Sequence, residues 1–447
     1  MHEHIEKLTF RKVSVLFMAV HVISEARRCL QCKNPLCRNK GCPIQTNIPE
    51  MIRLFLDGKI NEAGDMLFEN NPLSIMCSLV CDHGAQCEGN CIQGIKGTSV
   101  HISSIEHYIS DYCLDKMILE RDRKKHRRIA VIGSGPAGLT VAIKMAQKGY
   151  DVTMFERMDY IGGLLRYGIP DFRLPKTILD RFQKKLLELG ILIRPNTSIG
   201  GALHLDDLFD DGYEAVFIGT GVWRPRRLGI KGESNGNVHY AIDYLMNPNA
   251  YNLLGRKVIV IGAGNSAMDV ARTAIRKGAD SVDMYVRRNK SAASPEEIDY
   301  TLADGVNIQY LTRVESITPD GPMVYHVTMD EEGNVTSQTT PKLVEADVVF
   351  IAVSQVPKDK IASTTTGLEL NEWGLIKVNE NFMTSKPGVF SAGDVVLGAK
   401  TVVAAVRDAK IAAEGMDKYL QSKYSKKGAV ALKIYATVPY IYLNHIE

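Results

Sequence analysis

Apolar residues recur along the chain in two rhythms, and the change falls at the basic run "RDRKKHRR", residues 121–128. Ahead of it, cysteine-rich loops mix with short helical patterns. One is "PEMIRLFLDG" (49–58), which Pro49 opens and Gly58 closes. Behind it, β-rich runs feed glycine turns and helices of amphipathic spacing. "RRIAVIGSGPAGLTVAIKMAQKGYDVTMFE" (127–156) predicts a strand at Ile129–Ile132, a glycine turn, a helix and a second strand ending at Glu156. "RKVIVIGAGNSAMDVARTAIRKGADSVDMYVRR" (256–288) repeats that order and ends on Arg287 and Arg288. "GVFSAGDVVLGAKTVVAAVRDAKIAA" (388–413) predicts a short strand, Ala392-Gly393-Asp394, and then a long amphipathic helix. In "FIGTGVWRPR" (217–226), around Thr220 and Gly221, a strand is expected to leave one unit for the other. The two ends differ from all of this. Residues 13–23 are apolar, and 428–447 read as β-rich and aromatic. Both are expected to cover each other, to face a partner, or to close the chain's own core.

The strand–turn–helix–strand context turns each glycine motif into a dinucleotide fingerprint. In Gly133-x-Gly135-x-x-Gly138, Pro136 and Ala137 sit between the last two glycines. The first glycine permits the tight turn, the second lets backbone amides approach a pyrophosphate, and the third lets helix pack on strand. Glu156 is placed to accept hydrogen bonds from a ribose. In Gly262-x-Gly264-x-x-Ala267, Asn265 and Ser266 open the helix and the next strand ends in two arginines. Guanidinium groups suit a 2′-phosphate, so this site is expected to take NADPH and the first to take FAD. Gly393 allows close backbone approach, and Asp394 is placed to bond a ribityl hydroxyl. The order of units predicts an α/β protein with two Rossmann-like domains, the NADPH domain inserted in the FAD domain.

Composition changes the picture mainly through cysteine. The 447 residues accommodate about three domains. A net charge of +3 is too small to argue for nucleic acid or an anionic membrane. No apolar run reaches the roughly 18 residues of a membrane span, and 13–23 lacks a small-residue cleavage site, so a cytoplasmic chain is expected. The run at 121–128 reads as a solvated linker. All nine cysteines precede residue 114, four of them in "CLQCKNPLCRNKGCP" (29–43). Disulfides fit poorly with an odd count in a cytoplasmic nucleotide-binding chain. Zinc favours two short C-x2-C pairs, and here only Cys29 and Cys32 have that spacing. Cys42-Pro43 echoes the bacterial ferredoxin run, and thiolates beside a flavin suit iron–sulfur chemistry. Cysteines alone nominate Cys29, Cys32, Cys37, Cys42, Cys77, Cys81, Cys87 and Cys91 for two clusters. No C-x-x-C lies in the nucleotide domains, which excludes thioredoxin reductase-like chemistry.

The motifs "RCLQC", "NNPLSIMCSLVCDHGAQCEGNC", "GSGPAGL", "GGLLRYGIPDFRLPK", "GAGNSAMD" and "SAGD" together resemble one family. It is that of the small (β) subunit of NADPH-dependent glutamate synthase. Related members are the iron–sulfur and flavin portion of dihydropyrimidine dehydrogenase and the large subunit of bifurcating ferredoxin:NADP transhydrogenases. The resemblance implies a helical domain with two [4Fe-4S] clusters at 1–120, FAD-binding parts at 127–250 and 358–421, an NADPH domain at 251–357, and a C-terminal extension at 422–447. It implies that Gly163 and Leu164 line the flavin. It gives Cys29, Cys32, Cys37 and Cys91 to one cluster, and Cys42, Cys81 and Cys87 with the side chain of Glu106 to the other. Cys77 is then a buried hydrophobe, Cys113 a bystander and His107 a surface residue. The implied activity passes electrons from NADPH to FAD, through the clusters, and on to a larger synthase-type or other electron-accepting subunit, in glutamate biosynthesis. Ferredoxin, sulfide or polysulfide, or a bifurcating partner are alternative acceptors, and a non-enzymatic redox sensor is the third reading. The 447 residues leave no room for amidotransferase or glutamate-forming domains, so the chain alone is expected to act as a diaphorase. The apolar run at 13–23 and the tail depart from the family pattern.

Overall fold

The computed structural model describes residues 21–358 and 360–437, with side chains as far as Lys423. Most of the apolar run at 13–23 and the last part of the tail therefore lie outside the described residues. Helices Ile48–Leu56, Ile60–Asn70, Ser74–Val80 and Ile102–Leu114 carry the N-terminal part. Pro49 stands in the first turn of the first of them, and Gly58 (φ +76°) follows its end. Met51, Ile52, Leu67, Ile105 and Ile109 form a core of their own there. Cys113 belongs to it. The Ile60–Asn70 helix closes on the Ile102–Leu114 helix because Gly64 has no Cβ, which would stand 2.4 Å from the Cys113 sulfur.

Four parallel strands follow: β1 (Arg128–Ile132), β2 (Asp151–Phe155), β3 (Leu192–Arg194) and β4 (Tyr213–Ile218). The chain then leaves through β5 (Arg224–Pro225). A second parallel sheet is built from β6 (Val238–Tyr240), β7 (Lys257–Ile261), β8 (Ser281–Val286) and β9 (Asn307–Tyr310). An antiparallel excursion that no motif foretold comes next: β10 (Thr312–Thr318), β11 (Gly321–Met329), β12 (Val335–Gln338) and β13 (Lys342–Leu343). Strand β14 (Val348–Ile351) completes the second sheet between β6 and β7. The chain returns through β15 (Gln355–Val356), antiparallel to β5, and β16 (Val389–Ser391) joins the first sheet beside β4. The insertion is thus a topological fact. The first sheet has the order β16-β4-β1-β2-β3, with the whole second sheet between two of its neighbours.

Three expectations are corrected. The second sheet recruits β6, ahead of the boundary expected at 251. The long helix does not follow Asp394 directly: one turn, Asp394–Leu397, ends at Gly398 (φ +73°), and the long helix is Val402–Thr437. That helix runs through residues 428–437, which had read as β-rich. Extending a nucleated helix costs little per residue, and β-propensity depends too strongly on context to stop it.

The basic run is a solvated linker over most of its length, with Asp122 to His126 exposed, and its Arg121 and Arg127 are pinned to the first nucleotide domain. Arg121 donates to the Tyr150 carbonyl at 2.9 Å and to Asp151 at 3.0 Å. Arg127 pairs with Glu214 and donates to the Leu420 carbonyl at 2.9 Å.

The two nucleotide-type domains are joined by a buried ionic network. Arg173, from "IPDFRLPK", bonds both Asp269 oxygens at 2.9 and 3.0 Å and Glu297 at 2.9 Å. Arg272 takes the other Glu297 oxygen at 2.6 Å and Asp304 at 2.9 Å. The Arg173 and Asp269 side chains are only 10% and 5% exposed. Breaking a buried pair strands a charge, so Arg173→Met is expected to lower stability by about 3–5 kcal/mol. Arg181 binds Asp111 and Asp115 at the surface, and Arg181→Met is expected to cost less than about 1 kcal/mol. Denaturant midpoints of the two variants check the contrast.

Candidate functional site

A cavity of about 310 Å³ opens at the carboxyl ends of β1, β2 and β4, within the usual range of about 300–1,000 Å³ for ligand sites. Gly133, Gly135, Pro136, Ala137 and Glu156 line one wall. Gly163, Leu164, Thr220 and Gly221 line a second, and Gly393 and Asp394 a third. Gly138 does not reach it. Its Cβ would fall 1.9 Å from the Gly133 carbonyl oxygen, so this glycine serves helix-on-strand packing. Gly133 is fixed by the fold too, with φ +93° and a Cβ position 2.6 Å from the Gly219 oxygen. Gly135 is different. A Cβ there would meet nothing within 4 Å, and its extended backbone (φ −71°) suits any residue. Nothing in the protein requires that glycine, so the space it leaves is room for a ligand.

Glu156 is buried and anchors the turn it faces. One of its oxygens accepts the Ser134 N–H at 2.9 Å and the Ser134 hydroxyl at 2.5 Å; the other accepts the Met158 N–H at 2.9 Å. Ser134 was not singled out from sequence, although a small hydroxyl between the two glycines, opposite an acid, was the available signal. Burial pushes the Asp394 carboxyl up to about 6, and the Lys400 N–H donates to it at 3.1 Å. Sequence reasoning also missed the cations Arg157, Lys358, Lys360 and Lys400 on this cavity. Lys358 and Lys360 stand two residues apart, with Lys360 opening the short helix Lys360–Ser363; none of the four belongs to a motif, and together they suit a diphosphate.

The second turn repeats the glycine argument. A Cβ on Gly262 would stand 2.4 Å from the Ala352 oxygen, whereas one on Gly264 would meet nothing within 4 Å. The helix Asn265–Arg276 starts here, with Ser266 in its first turn and Ala267 buried in the core. The Asn265 side-chain oxygen accepts the Ser294 N–H at 3.1 Å, which leaves its NH2 uncommitted. Arg287 and Arg288 are exposed, and their side chains have no ion pair or hydrogen bond among the described residues. Glu156 directly follows β2, and Arg287 and Arg288 directly follow β8.

The thiols divide between two places. Cys29, Cys32, Cys37 and Cys91 line one narrow cavity with Pro35 and Ile52. Gly41 lets the neighbouring loop press on the backbone of Gln86 and Cys87, where a Cβ would lie 2.6 Å from the Gln86 oxygen. Cys42 is thereby brought to Cys87. Burial pushes the Cys87 thiol well up, and the Glu106 and Glu88 carboxylates and the Cys42 sulfur push the same way. The Cys81 thiol is raised first by its hydrogen bond with Cys77, then by burial, and then by Cys77, Glu106 and Cys87. Loss of solvent pushes Glu106 up to about 8, with Glu88 adding to it, and its carboxyl has no hydrogen-bond partner among the described residues. His107 is corrected: it is half-buried, with a ring nitrogen 3.2 Å from the Ser78 hydroxyl. All nine cysteines are free. Among the described residues, no three or more His, Cys, Asp or Glu converge closely enough for a single metal ion. Four thiols around a space suit a multi-atom cluster better than one zinc ion.

Residues 127–409 match the family model "Pyridine nucleotide-disulphide oxidoreductase", and residues 6–118 match "Dihydropyrimidine dehydrogenase domain II, 4Fe-4S cluster". The glutamate synthase [NADPH] small chain of Azospirillum brasilense is 34% identical over 94% of this chain and 94% of its own. The chain belongs to the glutamate synthase small-chain family. The NAD-dependent dihydropyrimidine dehydrogenase subunit PreT of Salmonella typhimurium is 30% identical, over 92% of this chain and 97% of its own. The structure of FprA from Mycobacterium tuberculosis in complex with NADPH superposes with a TM-score of 0.56 at 20% identity, covering 68% of this chain and 86% of that one. That likeness shows the fold. This member of the glutamate synthase small-chain family is an NAD(P)H-dependent oxidoreductase with flavin, nicotinamide and iron–sulfur cofactors. No helix among the described residues is long and apolar enough to cross a membrane.

The glycine geometry makes a separable prediction. Gly135→Ala is expected to leave the flavin-free protein as stable, or up to about 1 kcal/mol more stable, while flavin content falls sharply. Gly138→Ala is expected to unfold the domain, because its Cβ meets backbone. Flavin absorbance and thermal melting of the stripped proteins distinguish the two.

Proposed function

We propose that this chain is the electron-input subunit of a glutamate synthase-type complex, taking electrons from NADPH by way of FAD and two [4Fe-4S] clusters to a larger partner. What carries the reading is one nested fold with an acidic ribose end at one site, a basic one at the other, and a four-thiol cavity in the attached helical domain. When bound, the nicotinamide and flavin exchange hydride and the clusters carry single electrons. The residues supply binding and position. Gly264, Asn265 and Ser266 open to the pyrophosphate of the nicotinamide nucleotide, and Arg287 and Arg288 take its 2′-phosphate. At the other site Glu156 takes a ribose, Asp394 a ribityl hydroxyl, and Lys358 and Lys400 the diphosphate of FAD. Cys29, Cys32, Cys37 and Cys91 hold one cluster; Cys42, Cys81, Cys87 and Glu106 hold the other. Free thiols on this scale suit a reducing compartment, the cytoplasm. A second reading, the same route serving another acceptor, draws on the 30% identity to the PreT subunit. Anaerobic co-purification from the native cell decides between the two by the subunit retained.

The nucleotide choice is testable by kinetics. NADPH is expected to give far higher kcat/KM than NADH. Replacing Arg287 and Arg288 together by Glu should raise KM for NADPH about 10- to 100-fold, the worth of about 1.5–3 kcal/mol of charge-assisted hydrogen bonding. Equal kcat/KM for the two nucleotides in the unaltered protein refutes the assignment.

The cluster ligands are testable by iron counting and low-temperature EPR of the reduced protein. Glu106→Ala is expected to lose or alter one cluster signal, and Cys77→Ser to keep both. The reverse result restores the all-cysteine set.

A further inference from the structure

The helix Val402–Thr437 begins on the dinucleotide cavity, where Thr401, Val402 and Ala405 form part of the wall. Lys410 lies on the same helix, about 12 Å further along its axis at 1.5 Å per residue. Its ammonium leaves the first nucleotide domain and donates to the Asn70 main-chain oxygen at 2.7 Å and to the Asn70 side-chain oxygen at 3.0 Å. The Asn70 side-chain NH2 then donates to Thr46 Oγ1 at 3.0 Å. Thr46 is buried, its Oγ1 lies 3.4 Å from the Cys42 sulfur, and its N–H donates to that sulfur at 3.5 Å. Each link uses a different donor, so the chain from Lys410 to Cys42 is continuous. Lys144 fixes the adjoining residue, donating to the Glu69 oxygen at 2.8 Å and pairing with its carboxylate at 2.7 Å.

Ordinary domain docking does not call for this arrangement. A lysine that merely staples two domains needs a carbonyl or a carboxylate, and Lys410 has the Asn70 carbonyl. The amide of Asn70 is an added part that turns a cation toward a buried hydroxyl, and that hydroxyl faces a sulfur. Hydrogen bonds and positive charge at a ligating sulfur stabilise the reduced, more negative state of a cluster and so raise its potential.

We propose that Thr46, Asn70 and Lys410 are positioning residues for the cluster held by Cys42, orienting its sulfur and raising that cluster's potential from a helix that also walls the dinucleotide cavity. The inference rests on the assignment of Cys42 as a cluster ligand made above. It distinguishes the two clusters: no such bridge from the first nucleotide domain is seen at Cys29, Cys32, Cys37 or Cys91 among the described residues.

The test uses the full chain, purified anaerobically, with iron and sulfide counted and a redox titration followed by EPR. Lys410→Met and Thr46→Val are each expected to keep the full iron content and to move one cluster transition to lower potential, leaving the other in place. Because both act through Asn70, the double variant should shift less than the sum of the singles. Lys410→Arg should restore most of the potential. A role confined to domain docking would move melting temperature and leave the potential alone. Unchanged potentials in both single variants with iron intact overturn the proposal. If Thr46→Val loses iron, Lys410→Met decides, since Lys410 lies outside the thiol loop. Cys42→Ser separates the underlying reading: full iron and both signals there refute the ligand assignment, whereas a lost cluster with unmoved potentials in the other variants refutes only the bridge.

Discussion

The pairing of β16 with β4 is the constraint on which the rest of the molecule depends. Val389, Phe390 and Ser391 stand opposite Val216, Phe217 and Ile218, and the Ser391 hydroxyl donates to the Ile218 carbonyl at 2.9 Å. Those few bonds join the two ends of a long excursion, because the entire second sheet lies between the paired strands in sequence. Without them Gly393, Asp394 and the start of the 402–437 helix would not face the turn at Gly133. The cavity would then lack a wall. Closure of so long a loop is slow to achieve in folding, but its entropic cost grows only with the logarithm of loop length. The insertion is accordingly tolerable, and the antiparallel pair β5 and β15 marks the point where the chain goes out and back.

The N-terminal helices and the first sheet share an apolar core, in which Phe68, Leu73, Ile75, Met76 and Leu114 pack with Ile129, Val131 and Leu139, and charged contacts stand around it. The N-terminal helices keep their own cluster around Met51 and Ile105, and the second sheet keeps its own around Val260 and Phe350. Arg173 with Asp269 and Glu297 joins the two nucleotide-type domains, and Arg181 with Asp111 and Asp115, with Lys144 and Lys410 on the carbonyls of residues 69 and 70, joins the first of them to the N-terminal helices. Hydrogen bonds with fixed donor geometry specify orientation more narrowly than apolar contact does. For a protein whose cofactors sit in different domains, that orientation sets their spacing. The buried Arg173 network is costly to desolvate, which makes it weak evidence for stability and better evidence for a specified arrangement.

Glycines in the two fingerprints fall into two classes, and the distinction separates fold from ligand. Gly133, Gly138 and Gly262 are required by neighbouring backbone, as the Cβ positions 2.6, 1.9 and 2.4 Å from carbonyl oxygens show. Gly135 and Gly264 are required by nothing within the protein. An empty, identically placed gap at both turns points to a shared external demand, and close approach of a pyrophosphate is the demand that the fold family meets there.

Local features were legible in the sequence because their causes are local. The strand–turn–helix order, the acid at 156 and the arginines at 287 and 288 depend on spacing within some thirty residues, and they stand where the pattern put them. So does the confinement of thiols to the first domain. What only the tertiary structure decided depends on segments far apart in the chain. Spacing alone could not show that Cys91 shares a cavity with Cys29, a grouping that only the family resemblance implied, or that the loop at Gly41 rests on Cys87. Nor could it show that Arg121 and Arg127 are bonded to Tyr150, Asp151 and Glu214 while the residues between them stay exposed, since a basic run reads the same whether solvated or paired. The half-burial of His107, the recruitment of β6 to the second sheet and the bridge from Lys410 to Cys42 were hidden for the same reason. Residues 428–437 follow the helix before them, so local β-propensity misread them. Periodicity reports which face of an element is apolar, and packing decides what that face meets.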